Sequence, residues 1–237
     1  MNDPSASLDQ FISQLFSQPD MLRMGHGQRL ADQNLGLGWL YYGLARILRP
    51  RCAVVIGSYR GFAPSVIARA LLDNDEGGEV HFVDPSLADG FWSEPAAVSR
   101  HFTGLGTPNI RHHRYTTQAF VETDAYAGLD DIGLLMVDGL HTAEQARFDY
   151  QAFLPKLSSE AITLFHDSTT RRMSTFYGED KAYEHNVCDF MDRIRQDTSM
   201  EIFTLAVASG VSLVRGYPVN PDRIFAPFKT NGHAHDT

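Results

Sequence analysis

The chain has 237 residues, 43% hydrophobic and 21% charged, a balance that supplies one full core. Twenty-nine acidic against twenty basic side chains leave a net charge of −9, which argues against nucleic acid as a partner. Two widely spaced cysteines exclude a disulfide scaffold and suit a reducing, cytoplasmic setting, and no apolar run is long enough for a membrane span or a secretory signal.

Leu8, Phe11, Ile12, Leu15 and Phe16 recur at helical spacing before Ser17-Gln18-Pro19-Asp20 interrupts them. A helix over Asp32–Leu48 is expected next, stopped by Arg49-Pro50. CAVVIG at 52–57 is a continuous β-branched run, the pattern of a parallel strand covered on both faces. A helix at 62–72, a turn at 73–78 and a strand at 79–84 follow, then a short helix near 94–103 and a strand at Asn109–Tyr115. Strands at 132–139 and 161–167 flank a helix that runs to about Leu157. Beyond them, 168–187 is polar and aromatic, either a lid over a cleft or an ordinary surface loop. A helix over Cys188–Arg195 and strands at 201–207 and 210–216 close the pattern.

Strands alternating with helices predict an α/β fold, a doubly wound and mostly parallel seven-stranded sheet that ends in an antiparallel pair. The expected layout is an N-terminal helical cap over 1–30, a main domain over 31–217 and an extended or disordered tail over 218–237. Leu15, Phe16, Trp39 and Tyr42 suggest an apolar face for a homodimer.

Ligands of such sheets sit beyond the carboxyl ends of the strands where strand order reverses, which directs attention to the first βα turn. That turn is Gly57-Ser58-Tyr59-Arg60-Gly61. Its glycines let backbone approach a ligand, and the helix after it offers free N–H groups. The spacing matches neither a dinucleotide fingerprint nor a P-loop. Asp84, ending the second strand, reads either as the acceptor of two ribose hydroxyls or as a cap before Pro85. With the glycine turn beside it, the ribose role is the better reading.

At these residues the sequence resembles class I S-adenosylmethionine-dependent methyltransferases, with their Rossmann-like sheet. VVIGSYRGFAPSVIARAL is similar to the family's first cofactor motif, HFVD to the second, LLMVDGLHTAEQARFDYQAFLPKL and AITLFHD to those of the fourth and fifth strands. The likeness runs from about Asn34 to Gly216 and points to the metal-assisted, small-molecule O-methyltransferase subset. It implies that Gly57, Ser58, Tyr59, Gly61, Asp84, Gln118 and Asp138 hold S-adenosylmethionine. The family's usual acidic residue two positions before the first glycine is Val55 here.

Asp138, His141, His166 and Asp167 end the fourth and fifth strands and should converge on one cleft. Carboxylates with imidazoles suit Mg²⁺, Mn²⁺ or a transition ion, which could hold vicinal substrate oxygens and acidify a hydroxyl. The resemblance implies ligands Asp138, Asp167 and the residue before it, here His166 where the family more often has an acid. His141 reads as the general base through an imidazole of near-neutral pKa, with Asp138 as the other candidate; its bland reading is a helix-start cap. Arg60 reads as a cofactor-carboxylate contact or a solvated arginine. Met24-Gly25-His26-Gly27-Gln28 and 168–187 could cover the cleft, where Phe176, Tyr177, Tyr183, Arg171 and Arg172 suggest an aromatic, cationic lid for a planar or sugar-like acidic acceptor. The other histidines, His101, His112, His113, His185, His233 and His235, read mostly as surface residues.

The expectation is an O-methyltransferase acting on a hydroxylated small molecule with a divalent ion. The alternatives are a metal-independent enzyme of the same fold and a catalytically silent ligand-binding protein.

Overall fold

The computed structural model describes residues 7–22 and 25–228. Among these, helix α1 (Leu8–Phe16) is followed by α2 (Gly38–Leu48), β1 (Cys52–Ile56), α3 (Phe62–Asn74) and β2 (Glu79–Val83). Then come α4 (Pro95–Gly104), β3 (Ile110–His113), the single turns α5 (Thr117–Phe120) and α6 (Asp124–Ala127), β4 (Ile132–Val137), α7 (Ala143–Phe153) and β5 (Leu157–His166). A hairpin of β6 (Arg172–Ser174) and β7 (Tyr183–His185) precedes α8 (Val187–Ile194), β8 (Glu201–Leu205), β9 (Val211–Arg215) and α9 (Pro221–Ile224).

The seven-stranded sheet runs β3-β2-β1-β4-β5-β9-β8, with β9 antiparallel to both of its neighbours and the other pairs parallel. Strand order reverses between β1 and β4, which pair with Val55 opposite Met136 and Ile56 opposite Val137. The apolar runs are continuous because each strand feeds two cores. Ala53 and Val55 face the layer of α1, α2 and α3, whereas Val54 and Ile56 face α7 and α8. Val55 therefore lies wholly in the core. Helix α8 presents Val187, Phe190, Met191 and Ile194, one stripe at helical spacing, to the second core.

Three expectations change. Helix α2 begins at Gly38 rather than Asp32: Asn34 Oδ1 accepts from the Gly36 N–H at 2.8 Å, Gln33 has φ +51°, and Arg29 and Asn34 form an isolated bridge, so 29–36 is a closed loop. Leu15 and Phe16 are buried in the core beneath α2 and are not available as a dimer face. Of that quartet only Trp39 is well exposed, at 43%, and Tyr42 donates its hydroxyl to Asp73 at 2.7 Å. The start of the expected tail is ordered: α9 buries Ile224 and Phe225, and Arg147 donates to the Phe225 carbonyl at 2.9 Å. Met24 and residues 229–237, with His233 and His235, lie outside the described residues. Among the described residues no helix is long and apolar enough to cross a membrane.

Candidate active site

A cleft of about 650 Å³ opens at the carboxyl ends of β1, β2, β4 and β5, where the strand order reverses. One end is built by the first βα turn. Gly57 has φ +70°, and a Cβ there would fall on Gly139 Cα and 2.5 Å from the Asp138 carbonyl. Its lack of a side chain thus lets the β1 and β4 turns touch. Gly61, φ +83°, caps α3 against Phe102. Both glycines answer to protein neighbours, a tighter requirement than ligand approach alone. Ser58 Oγ accepts from the Ala63 N–H at 3.3 Å, and Tyr59 lines the cleft.

Asp84 accepts from the Ser86 N–H at 2.7 Å. Burial pushes its pKa up to about 6, against the pull of the Ser86 and Ser58 amides. Further along, Gln118 donates to Gln145 at 2.9 Å and Gln145 to Asp149 at 2.7 Å, all three on the cleft wall. Asp149 is fully buried and burial raises its pKa to about 7. Arg60 is committed: its guanidinium lies 4.0 Å from the centre of the Tyr59 ring and 4.2 Å from that of Phe91, and donates to Asp89 at 2.7 Å.

The other end gathers the strand-end polar residues. His166 Nδ1 lies 2.7 Å from Asp138 Oδ1 and 3.6 Å from Asp167 Oδ1, and His141 Nε2 lies 3.9 Å from Asp167 Oδ2. Two further histidines join them. His185 Nδ1 is 2.9 Å from Asp167 Oδ2, so this expected surface residue is buried in the cluster. His26, only 1% exposed, brings Nε2 to 3.6 Å from Asp138 Oδ2 and packs its ring on His166 at 4.3 Å and Phe62 at 5.0 Å. The sequence offered one signal for His26, its place between Gly25 and Gly27, which have φ +73° and +70°.

Burial lowers the His141 pKa to about 3, although Asp167 opposes the shift. The expected near-neutral imidazole is therefore a weaker base. His166 moves up: desolvation opposes the shift, but the charge and hydrogen bond of Asp138, the Asp167 charge and the Gly25 carbonyl together outweigh it. Asp138 also moves up, by burial, so that pair takes up a proton readily. Asp167 moves down, as its bond from His185 and the neighbouring imidazoles overcome the burial penalty. His26 is driven well below its ordinary value by burial and by His166.

The hairpin of 168–187 roofs the cleft. Phe176 meets Tyr59 edge-on at 5.4 Å, and Tyr183 stacks on His185 at 5.1 Å. Its arginines are neutralised: Arg172 donates to Asp167 at 3.2 Å, Arg171 to Glu184 at 2.9 Å and also to Asp189. The expected cationic patch is thus spent on internal ion pairs. His101 and His112 bond the Arg60 and Asp84 carbonyls, and His113 pairs with His81.

A family model described as a methyltransferase domain matches residues 54–168, the segment from β1 through β5 that builds this cleft. Residues 54–168 thus resemble a methyltransferase domain, set on the seven-stranded sheet described above. The uncharacterized protein y4gI of Sinorhizobium fredii (strain NBRC 101917 / NGR234) is 30% identical over 143 residues, 56% of this chain and 15% of the relative. The chain thus spans about a seventh of that relative's length. Among solved structures, the O-methyltransferase TomG from Streptomyces achromogenes, involved in tomaymycin synthesis and bound to SAM, aligns with TM-score 0.61 at 14% identity, over 91% of this chain and 90% of its own. SAH-bound PaMTH1 of Podospora anserina gives 0.58 at 18% over 92% and 89%, and an O-methyltransferase from Bacillus cereus with SAH gives 0.61 at 12% over 90% and 93%. At these identities the likeness is one of fold. It agrees with the seven-stranded, mostly parallel sheet and its antiparallel close.

Proposed function

We propose that this methyltransferase domain transfers the methyl group of S-adenosylmethionine to a hydroxyl of a small molecule, assisted by a divalent ion. The observation that carries the reading is the union of two constellations in one cleft: the Gly57–Gly61 turn with Asp84 on one side, and Asp138, His141, His166 and Asp167 on the other. The names of the O-methyltransferases that share the fold support the same reaction class.

In this reading Asp84 accepts from the ribose hydroxyls, Ser58 and Tyr59 flank the amino-acid end, and Gln118 with Gln145 meets the adenine edge. The roof of Phe176, Tyr177 and Tyr183 excludes water, which an in-line displacement at a sulfonium methyl requires. The buried atoms His26 Nε2, His166 Nδ1 and Asp167 Oδ1 have no hydrogen-bond partner, and these are donor types that metal ions accept. The cluster therefore fits a divalent cation, which Asp138 and His166 would hold, with Asp167 beside His166. Such an ion would supply Lewis acidity toward a substrate hydroxyl. His141, kept neutral by burial, is placed to accept the hydroxyl proton at Nε2, and Asp167 beside it would stabilise the imidazolium. A metal-independent route would rest on His141 alone, whose depressed pKa makes it a poor base.

The test is calorimetric titration of S-adenosylmethionine into wild type and Asp84→Ala, followed by an acceptor screen that detects S-adenosylhomocysteine release with and without chelator. Asp84→Ala should weaken binding about 100-fold, near 2.7 kcal/mol, and chelation should stop turnover. Failure of the wild type to bind S-adenosylmethionine would overturn the reading.

A further inference from the structure

The N-terminal segment supplies a histidine to the cation cluster, and the hydrogen bonds behind both buried imidazoles occupy one nitrogen of each and leave the other facing the carboxylates. His26 Nδ1 is 3.1 Å from the Tyr41 hydroxyl, a side chain buried in α2. That leaves Nε2 as the ring atom facing Asp138, and it has no hydrogen-bond partner. His166 mirrors this arrangement. Ser209 Oγ donates to the Gly25 carbonyl and lies 3.3 Å from His166 Nε2, so it can accept from an Nε2–H. The lone pair of His166 is then on Nδ1, which also lacks an aligned partner although Asp138 Oδ1 is 2.7 Å away. With His26 Nδ1–H donating to the Tyr41 hydroxyl, two imidazole lone pairs and the Asp138 carboxylate face one another in a buried space.

Each polar atom of that set would repel its neighbours unless a proton or a cation sat among them. The spacings suit such a charge. Bonds of about 2.0–2.2 Å to nitrogen and oxygen ligands put adjacent donors roughly 3.0–3.5 Å apart, and the observed separations of Asp138 from His166 and His26 are 2.7 and 3.6 Å. An outer hydrogen bond that fixes tautomer and ring orientation is the usual support of a ligating histidine. The loop behind His26 is built for the purpose. The Leu37 N–H donates to the His26 carbonyl at 2.8 Å, and Gly36, φ +59°, leaves no room for a Cβ against that carbonyl.

We propose that His26 is a direct ligand of the divalent ion, forming with His166 and Asp138 a two-imidazole, one-carboxylate site, flanked by Asp167, that prefers first-row transition ions such as Fe²⁺, Co²⁺ or Zn²⁺ to Mg²⁺. The proposal deepens the metal-assisted reading above and rests on it for the ion's role, while the ligand set stands on its own geometry. Imidazole nitrogen suits these ions, whereas Mg²⁺ favours oxygen ligands and retains its waters. It also makes the cap part of the active site, because the ion would bridge the segment before α2 to the ends of β4 and β5.

The experiment uses the full chain stripped with chelator. Co²⁺ is titrated while its visible absorption is followed, and Mg²⁺ is then added in competition. Wild type should hold Co²⁺ against a hundredfold excess of Mg²⁺. His26→Gln, its fold checked by circular dichroism, should bind Co²⁺ at least about tenfold more weakly and lose much of that preference. Pulsed electron paramagnetic resonance of the Mn²⁺-loaded wild type should report two directly bound imidazole nitrogens, a count independent of whether His26→Gln folds. Tyr41→Phe, which removes the outer hydrogen bond and keeps the ligand, should cost a smaller factor. One bound imidazole in wild type, or Mg²⁺ displacing Co²⁺ at equal concentration, would overturn the proposal. S-adenosylmethionine binding is measured separately: its absence beside an intact His26-dependent Co²⁺ site would sink the methyltransferase reading and leave this one standing.

Discussion

The two ends of the cleft treat their carboxylates in opposite ways. At the turn end, half-buried Asp84 and buried Asp149 sit among neutral donors, and desolvation raises their pKa values to about 6 and about 7. At the cluster end, Asp167 is buried like Asp149 but has His185, His141 and His166 around it, and its pKa falls. Burial is common to both; the imidazoles make the difference. The turn end has its polar groups met by backbone amides, glutamines and a threonine. The cluster end keeps unpartnered nitrogen and oxygen atoms face to face, which only a proton or a cation reconciles.

The sharpest way to break this arrangement is at the joint between the two ends. Gly57 is the contact point of the β1 and β4 turns, with φ +70° and with Gly139 and the Asp138 carbonyl where a Cβ would stand. Gly57→Ala must move one turn away from the other as well as hold a left-handed backbone. The expected loss of stability exceeds about 4 kcal/mol, read by urea denaturation. A loss below about 1 kcal/mol would mean that the turns are not rigidly coupled.

The next effect isolates the turn end. Asp149 has a folded-state pKa raised to about 7, above the ordinary carboxylate value of 3.8. At low pH it is protonated in folded and unfolded chains alike and costs nothing. As pH rises past 3.8, the unfolded chain releases the proton first, so the folded state is penalised progressively until about pH 7. Asp149→Asn keeps an acceptor for Gln145 and removes the charge. It should therefore gain stability over wild type with rising pH, by a few kcal/mol at pH 8, with little difference near pH 4. A difference independent of pH would show that Asp149 is matched by a charge in the fold.

Much of this molecule was legible in its sequence, and the limits follow from range. The strands were readable because two-sided burial writes an unbroken apolar run such as CAVVIG, and Asp138, His166 and Asp167 because each ends such a run. The start of α2 was misread because apolar periodicity continues through Leu35 and Leu37, while the side-chain bond of Asn34 and the left-handed Gln33 and Gly36 impose a loop. His26 and His185 join the cluster from 112 and 47 residues away from Asp138, and no local pattern encodes such a meeting. The ion pairs of Arg171 and Arg172 are likewise tertiary, so the composition of the roof suggested a positive charge that the folded hairpin cancels.

The smallest expected effect tests whether Asp84 acts through its charge. Its raised pKa means that below about pH 6 the ligand-free protein holds a proton there, and ribose hydroxyls then lose their ionised acceptor. If Asp84 holds the ribose as proposed, binding of S-adenosylmethionine lowers that pKa and releases the proton, so affinity should fall by up to about tenfold for each pH unit below 6. Calorimetry on chelator-treated protein at pH 7.5 and pH 5 should give affinities about tenfold apart, with the cluster's ion absent from both. In Asp84→Asn the profile should flatten, because no carboxylate remains to titrate and the affinity stays near the acid-limb value. A wild-type profile that stays flat while Asp84→Ala still abolishes binding would assign Asp84 to shaping the turn through its bond from the Ser86 amide, not to holding the ribose.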